Sequence, residues 1–295
     1  MIPFQDTRSR LPVATGNIHT EKHPGRFRRL LRTGLAALFP AICHSCKRLY
    51  AMPDAMHQPI AAASPAEFFS AVMAPYLCAR CRKGFTAVAS PMCPQCGKPF
   101  VSPHGPDHLC GGCRTCAFRF QAARAAGIHE GVLRMVVHQL KFNSRDHLAP
   151  PLGRLLWHVL RRHWRPSDFD CIVPVPLHAG RLRQRGFNQA LLLIRHWARW
   201  AAMDGIVLPP GWLGDDVLVR RRPTRPQTGL NKAERAVNLR DVFAVAKSSR
   251  IRSRRILLVD DVLTTGTTTN ACASTLLHAG ASEVRVLTLS RALLE

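Results

Sequence analysis

Two groups of residues in this sequence of 295 have the types and spacing to do chemistry. The first lies in "ILLVDDVLTTGTTTN", residues 256 to 270, where Asp260 and Asp261 follow an apolar run and precede a ladder of threonines around Gly266. Adjacent carboxylates repel phosphate but accept hydrogen bonds from vicinal sugar hydroxyls. The hydroxyls of Thr264, Thr265, Thr267 and Thr268, a glycine that lets the backbone come close, and a helix beginning just beyond suit a phosphate. A ligand that has both parts is a ribose 5-phosphate. The second group is nine of the eleven cysteines, held between residues 43 and 116 as CHSC, CARC, CPQC and CGGC with Cys116 left over. One CxxC turn presents two thiolates to a single ion, and two such turns complete a tetrahedral four-thiolate zinc site.

The cysteine spacing predicts two structural zinc ions, one held by Cys43, Cys46, Cys78 and Cys81, the other by Cys93, Cys96, Cys110 and Cys113. With four protein ligands each, neither ion has an open position for catalysis. An interleaved pairing is also compatible with the spacing. Cys116 could replace Cys110 or Cys113, and His44, His104 or His108 could donate a ligand.

These groups need elements to position them. Ile256 to Val259 form a short apolar run without alternation, which predicts a strand buried on both faces, with the carboxylates at its carboxyl end. "TTTNACASTLLHAGA" then spaces its apolar residues as a helix does and stops at Gly280, and "EVRVLTLS" reads as a further strand. From about residue 117 onward, helical patterns ("EGVLRMVVHQLKF", "APPLGRLLWHVLRRHW", "NQALLLIRHWARWAA") alternate with short apolar strands ("DCIVPVPL", "RILLVDD", "EVRVLTLS"). That alternation predicts an α/β domain with a mostly parallel sheet flanked by helices, in which ligands sit beyond the carboxyl ends of the strands. The chain divides into a basic leader with a short amphipathic helix (1–42), a Cys-rich zinc-ribbon module (43–116) and the α/β domain (117–295).

Within "DCIVPVPLHAGRLRQRGFNQA", residues 170 to 190, the prolines force an extended exit from a strand. Arg181, Arg183 and Arg185 follow, just before a helix expected to begin near Asn188. Guanidinium groups there suit a diphosphate, although an exposed basic loop has the same composition. Gly186, Asn188 and Gln189 are expected to shape the turn and cap the helix, and His178 to lie on the surface. Arg221, Arg222, Arg225, Gln227 and Arg235 fall on a stretch whose prolines and glycine suit either a mobile lid or a basic linker.

The formal charge of +24 predicts attraction to polyanions, but the basic residues are spread along the chain and mark no single recognition helix. Aromatic residues at 7% offer no evident stacking platform for single strands. No run approaches the roughly 18 apolar residues of a membrane span, and the first residues lack a signal pattern. A cytoplasmic location is expected, where thiols stay reduced and cysteines serve as ligands or core residues.

"ILLVDDVLTTGTT" resembles the 5-phosphoribosyl 1-diphosphate (PRPP) motif of type I phosphoribosyltransferases. "DCIVPVPLHAGRLRQRGFNQA", "PQTGLNKAERAVNLRDVF" and the paired cysteines resemble the pyrophosphate loop, flexible loop and zinc region of the competence protein F (ComF) family. His129 stands where that pattern has a tyrosine, whereas Lys141 fits it. The resemblance implies a type I phosphoribosyltransferase fold in which Asp260 and Asp261 bind the ribose diol, and Val262, Leu263 and Thr264 to Thr268 wrap the 5-phosphate. It further implies that Arg181, Arg183, Arg185, Gln227 and Arg235 meet the diphosphate, and that magnesium bridges diphosphate and ribose hydroxyls. The activity implied is transfer of the phosphoribosyl group to an unidentified nitrogen acceptor, linked to uptake of DNA. A non-catalytic PRPP-fold protein that holds single-stranded DNA or a competence partner such as a helicase is the alternative.

Overall fold

The computed structural model describes residues 40–52, 64–115, 118–142, 145–222 and 242–293. In chain order its strands are β1 (Ala41–Ile42), β2 (Leu49–Tyr50), β3 (Ala122–Ile128), β4 (Cys171–Pro174), β5 (Leu218–Arg220), β6 (Phe243–Val245), β7 (Arg255–Leu263) and β8 (Glu283–Arg291). The helices used below are α1 (Pro65–Val72), α2 (Ala79–Lys83), α3 (Gly111–Thr115), α4 (Gly131–Phe142), α5 (Ala149–His163), α6 (Ala179–Arg185), α7 (Gln189–Ile194), α8 (Trp197–Met203) and α9 (Thr267–His278).

β3, β8, β7 and β4 form one parallel sheet in that order. Its two faces explain why the strand sequences do not alternate. Leu257, Val259, Leu287, Leu289 and Ile172 join one core cluster with Leu152, Leu155 and Leu156 of α5. Ile256, Leu258, Val284, Val286, Cys171 and Val173 join the opposite cluster with Cys272, Ala273 and Leu276 of α9. Every residue of β7 from Ile256 to Val259 is fully buried, as a strand covered by helices on both faces requires.

β4 lies at the sheet edge and ends at Pro174, opposite Val259, where a residue without an N–H is tolerated. β7 and β8 continue side by side to Leu263 and Arg291. The carboxylates therefore do not follow the strand, as the sequence predicts, but are its sixth and seventh residues of nine. They still project past the carboxyl end of β4, because the last bond across that pair is from the Val175 N–H to the Val259 carbonyl at 2.8 Å.

Two other expectations change. The single helix predicted over residues 188 to 202 is divided into α7 and α8 at Arg195–His196. The break brings Trp197 into the core, with its indole N–H donating to the Gly153 carbonyl at 3.2 Å. β3 is a strand that no apolar run announced. The amphipathic segment expected before residue 40, and Cys116, Arg225, Gln227 and Arg235, lie outside the described residues.

Candidate functional site

Asp260 and Asp261 leave the sheet on opposite faces, as neighbours in a strand must. Asp261 is 3% exposed. Its Oδ1 pairs with the Lys141 ammonium of α4 at 2.8 Å, while its buried Oδ2 has no hydrogen-bond partner. The Asp261 N–H donates to Asp260 Oδ1 at 2.8 Å. Burial, reinforced by the neighbouring Asp261 charge, pushes the Asp260 carboxyl well above the usual carboxylate range, against the pull of Lys141 and Arg220. His129, just past β3, meets the Ser290 hydroxyl through Nδ1 at 2.8 Å, and burial with the Lys141 charge lowers its pKa. It is therefore a neutral neighbour of the acid pair.

The chain then turns at Gly266, whose φ of 78° is in the left-handed region and whose Cα faces the Phe118 ring; a Cβ there would come within 2.7 Å of that ring. Thr265 Oγ1 and Thr267 Oγ1 lie 2.7 Å apart, and the Thr269 hydroxyl donates to the Gly266 carbonyl at 3.0 Å. α9 starts here at Gly266, which has no side chain to cap it; the Thr267 N–H donates to Thr265 Oγ1 at 3.4 Å, and a helix N-terminus of this kind suits an anion.

Arg181, Arg183 and Arg185 precede α7 as expected, but they also form a helix of their own that the sequence did not announce, α6, closed by Gly186 at φ 80°. At about 3.6 residues per turn, Arg181 and Arg185 share a face and Arg183 points away from it. Arg185 and Asp261 interact electrostatically, as do Arg220 and Asp260, and Arg181 is felt by both arginines. The Arg185 guanidinium also lies 4.7 Å from the centre of the exposed Phe142 ring. His178, expected on the surface, is half-buried and caps α6: its Nδ1 accepts from the Gly180 N–H at 3.1 Å. Asn188 caps α7 as predicted, accepting from the Ala190 N–H at 3.0 Å and donating to the Val175 carbonyl at 3.1 Å.

The cysteines group as the first assignment had them. In each set of four, Cys43, Cys46, Cys78, Cys81 and Cys93, Cys96, Cys110, Cys113, the sulfur atoms lie within 4.8 Å of one another. Cys46 and Cys78 Sγ are 3.8 Å apart and Cys96 and Cys110 Sγ 3.7 Å, close to the edge of a tetrahedron with about 2.3 Å metal–sulfur bonds. These clusters fit zinc. The two knuckles share one turn, in which Lys47 and Gly97 donate N–H to the Cys43 and Cys93 carbonyls, both at 2.9 Å, and adopt φ of 61° and 66°. Burial raises the Cys43 and Cys93 thiols, but surrounding backbone N–H groups outweigh it and bring them down to about 6 and about 7, whereas burial pushes Cys81, Cys96 and Cys113 up. The clusters differ in exposure: Cys46 is exposed, whereas Cys93, Cys96 and Cys113 are buried. Among the described residues no disulfide is present.

No family model matches the chain. Individual relatives do. DNA utilization protein YhgH of Escherichia coli strain K12 is 34% identical over 220 residues, 74% of this chain and 91% of its own length. Competence protein F of Haemophilus influenzae is 30% identical over 222 residues, 73% of this chain and 90% of its own length. The chain belongs to the competence protein F family. Competence protein ComFC of Streptococcus pneumoniae matches at 26% identity over 73% of this chain and 87% of its own. Among solved structures, the allosteric regulatory enzyme of purine biosynthesis aligns over 49% of this chain and 25% of its own at 22% identity, with a TM-score of 0.28, too low to bear on the fold.

In this competence protein F family member the structure gathers Asp260, Asp261, the Thr264–Thr268 loop, Arg181 and Arg185 around the carboxyl ends of β7 and β4. Three members of the neighbourhood escaped the residue-based reading. Arg220 sits beside Arg221 and Arg222, which drew the attention. Lys141 followed only from the family pattern. Arg291 is a lone cation ending an apolar strand, with no local signal of its partners. No helix among the described residues is long and apolar enough to cross a membrane.

Proposed function

We propose that the chain binds PRPP with magnesium and transfers its phosphoribosyl group to a nitrogen acceptor. The observation that carries this reading is the buried Asp261 carboxylate, satisfied by Lys141 on one oxygen and unpartnered on the other, in a strand that runs straight into a glycine–threonine helix start. A ribose diol supplies the donors that Oδ2 lacks, and the 5-phosphate of the same sugar reaches Thr264 to Thr268. Arg185, Arg181 and Arg220 then face the diphosphate, with Arg221, Arg222, Arg225, Gln227 and Arg235 assigned to a covering loop. In the reaction the anomeric C–O bond breaks, pyrophosphate leaves with the electron pair, and a C–N bond forms. Fixed guanidinium groups stabilise that leaving group, and exclusion of water protects the cationic sugar centre. Magnesium, when bound, neutralises diphosphate charge while held mainly by substrate oxygens and water.

The two cysteine clusters are assigned structural zinc, with residues 43–116 as a zinc-ribbon module and 117–295 as the phosphoribosyltransferase domain. A reducing cytoplasm suits the thiolates. Relatives named for competence and DNA utilization support a role in DNA uptake or use. That support, with the charge of +24, also favours a second reading, a non-catalytic PRPP-fold protein that holds single-stranded DNA or a competence helicase. Calorimetric titration of PRPP with and without magnesium, joined to an assay of pyrophosphate release, separates them. Magnesium-dependent binding that disappears in Asp260→Asn/Asp261→Asn is expected; folded, zinc-loaded protein that binds no PRPP but binds single strands with steep salt dependence overturns the transferase reading.

A further inference from the structure

We infer that Arg291 is a positioning residue that makes the second cysteine cluster part of the phosphate loop's support, so that metal at Cys93, Cys96, Cys110 and Cys113 and ligand at Thr264–Thr268 strengthen each other's binding. The identity of that ligand rests on the proposed function; the physical linkage does not.

Arg291 ends β8 and is 7% exposed. Its Nε donates to the Cys96 carbonyl at 3.2 Å, and its Nη2 lies 3.9 Å from Cys96 Sγ. Its Nη1 donates to the carbonyls of Leu263 at 3.1 Å and Ala292 at 2.9 Å, and to that of Thr264. One buried guanidinium thus joins a metal-ligand residue to the two residues at which β7 becomes the phosphate loop. Only a rigid fork of donors serves so many acceptors at once; an ammonium is a point charge on a flexible stem.

A second strap runs in parallel. The Gln95 side chain, inside the same knuckle, donates to the Phe118 carbonyl at 3.2 Å, and the Phe118 ring lies under Gly266. The next residue, Arg119, donates its N–H to Asn270 Oδ1 in the first turn of α9 at 2.6 Å. The first cluster is tied elsewhere, through Gln139 of α4 to the His44 carbonyl at 2.9 Å. Four thiolates around a divalent ion leave net negative charge on the cluster, which holds the Arg291 guanidinium in place. Loss of that ion frees the knuckle, and with it the guanidinium and the carbonyls at the start of the loop. Coupling of this kind is reciprocal, so a loop ligand must also retain the metal.

The test uses full-length, zinc-loaded protein. Cys46→Ser, verified by metal analysis to hold one ion, reports the second cluster alone, and Arg291→Lys is made in both backgrounds. Arg291→Lys is expected to bind PRPP about tenfold more weakly, the loss of roughly one charge-assisted hydrogen bond. It is also expected to surrender the second-cluster zinc faster to a chelating dye. PRPP should slow that release with Arg291 present and leave it unchanged in Arg291→Lys. Hydrogen exchange at residues 263 to 268 gives a readout that needs no ligand: removing zinc from the second cluster should raise it, and Arg291→Lys should raise it with zinc still bound. Unchanged zinc release and unchanged loop exchange in a folded Arg291→Lys protein overturn the inference. If wild-type protein binds no PRPP, the proposed function fails, and the exchange and ligand-free release measurements still decide the linkage.

Discussion

Replacing Lys141 with Met should destabilise the ligand-free protein far more than a surface lysine would. The Lys141–Asp261 pair is 2.8 Å long, with Asp261 nearly inaccessible and Lys141 22% exposed at its side chain. Removing one partner of a buried pair leaves an uncompensated charge and costs about 3–5 kcal/mol. Water reaches the partly exposed ammonium, which argues for the lower end, about 3 kcal/mol. The second Asp261 oxygen has no partner, and once Lys141 is gone only the electrostatic pull of Arg185, which forms no ion pair with it, offsets the charge. At about 2–4 °C per kcal/mol for a domain of this size, thermal unfolding of zinc-loaded Lys141→Met should begin about 6–12 °C earlier. Asp261→Asn leaves the partly exposed Lys141 ammonium, not a buried carboxylate, without its partner and should cost less than Lys141→Met, and Lys141→Met/Asp261→Asn should recover most of the loss. A double-mutant cycle is the assay, and coupling below about 0.5 kcal/mol, the scale at which independent sites simply add, refutes the reasoning.

Asp260 holds its proton to higher pH when folded than when unfolded, because burial and the Asp261 charge disfavour the anion. A raised folded-state pKa contributes stability below the unfolded value that is lost as pH rises through the folded one. Stability of the ligand-free protein should therefore fall between pH about 4 and about 7, the range set by the ordinary aspartate value of 3.8 and the folded value of about 7. Thermal unfolding across that range should flatten in Asp260→Asn. Because α6 turns Arg185 toward the acid pair and Arg183 away, Arg185→Ala should weaken PRPP binding by about tenfold or more, a charge-assisted bond's worth. Arg183→Ala should change it less than about twofold, and calorimetry distinguishes the two. Cys110→Ser should release one zinc and lower the unfolding temperature more than Cys46→Ser, because Cys110 is partly buried in a cluster whose other three cysteines are buried, while Cys46 is exposed; metal analysis with calorimetric scanning checks both.

How much was legible follows from how local each signal is. The cysteine partition could be read because each knuckle closes over four residues, although the long interval from Cys46 to Cys78, the extra Cys116 and the nearby histidines left room for other ligand sets. β7 declared itself through four consecutive apolar residues, but its length did not. The strand extends through both carboxylates because β8 runs on to Arg291 beside it, a fact about the partner strand. β3, "AARAAGI", carries almost no β-forming residues. It is a strand because it pairs with β8 and because its alanines fit against α5 and the Gln95 carbonyl. Arg181, Arg183 and Arg185 were visible as cations, but the helix that sorts them by face was not. Lys141 and Arg291 act across 120 and 195 positions of sequence respectively, distances at which composition and spacing say nothing.

The two halves of the first cysteine cluster are joined through α1, whose Phe68 stacks on His158 of α5 at 4.1 Å and whose Phe69 stacks on Phe85 at the same separation. Both phenylalanines belong to the core cluster that lines one face of the sheet. The cysteine-rich segment is therefore no detachable appendage. A truncated protein that starts at residue 118 would uncover the α5 surface that Phe68 fills, and should be recovered as aggregate rather than as a smaller folded protein. In an evolutionary sense the same packing ties the fate of the metal clusters to that of the sheet. A lineage that discards its cysteines must refill that surface, so losses should come with bulkier residues on α5 rather than with a simple shortening of the gene.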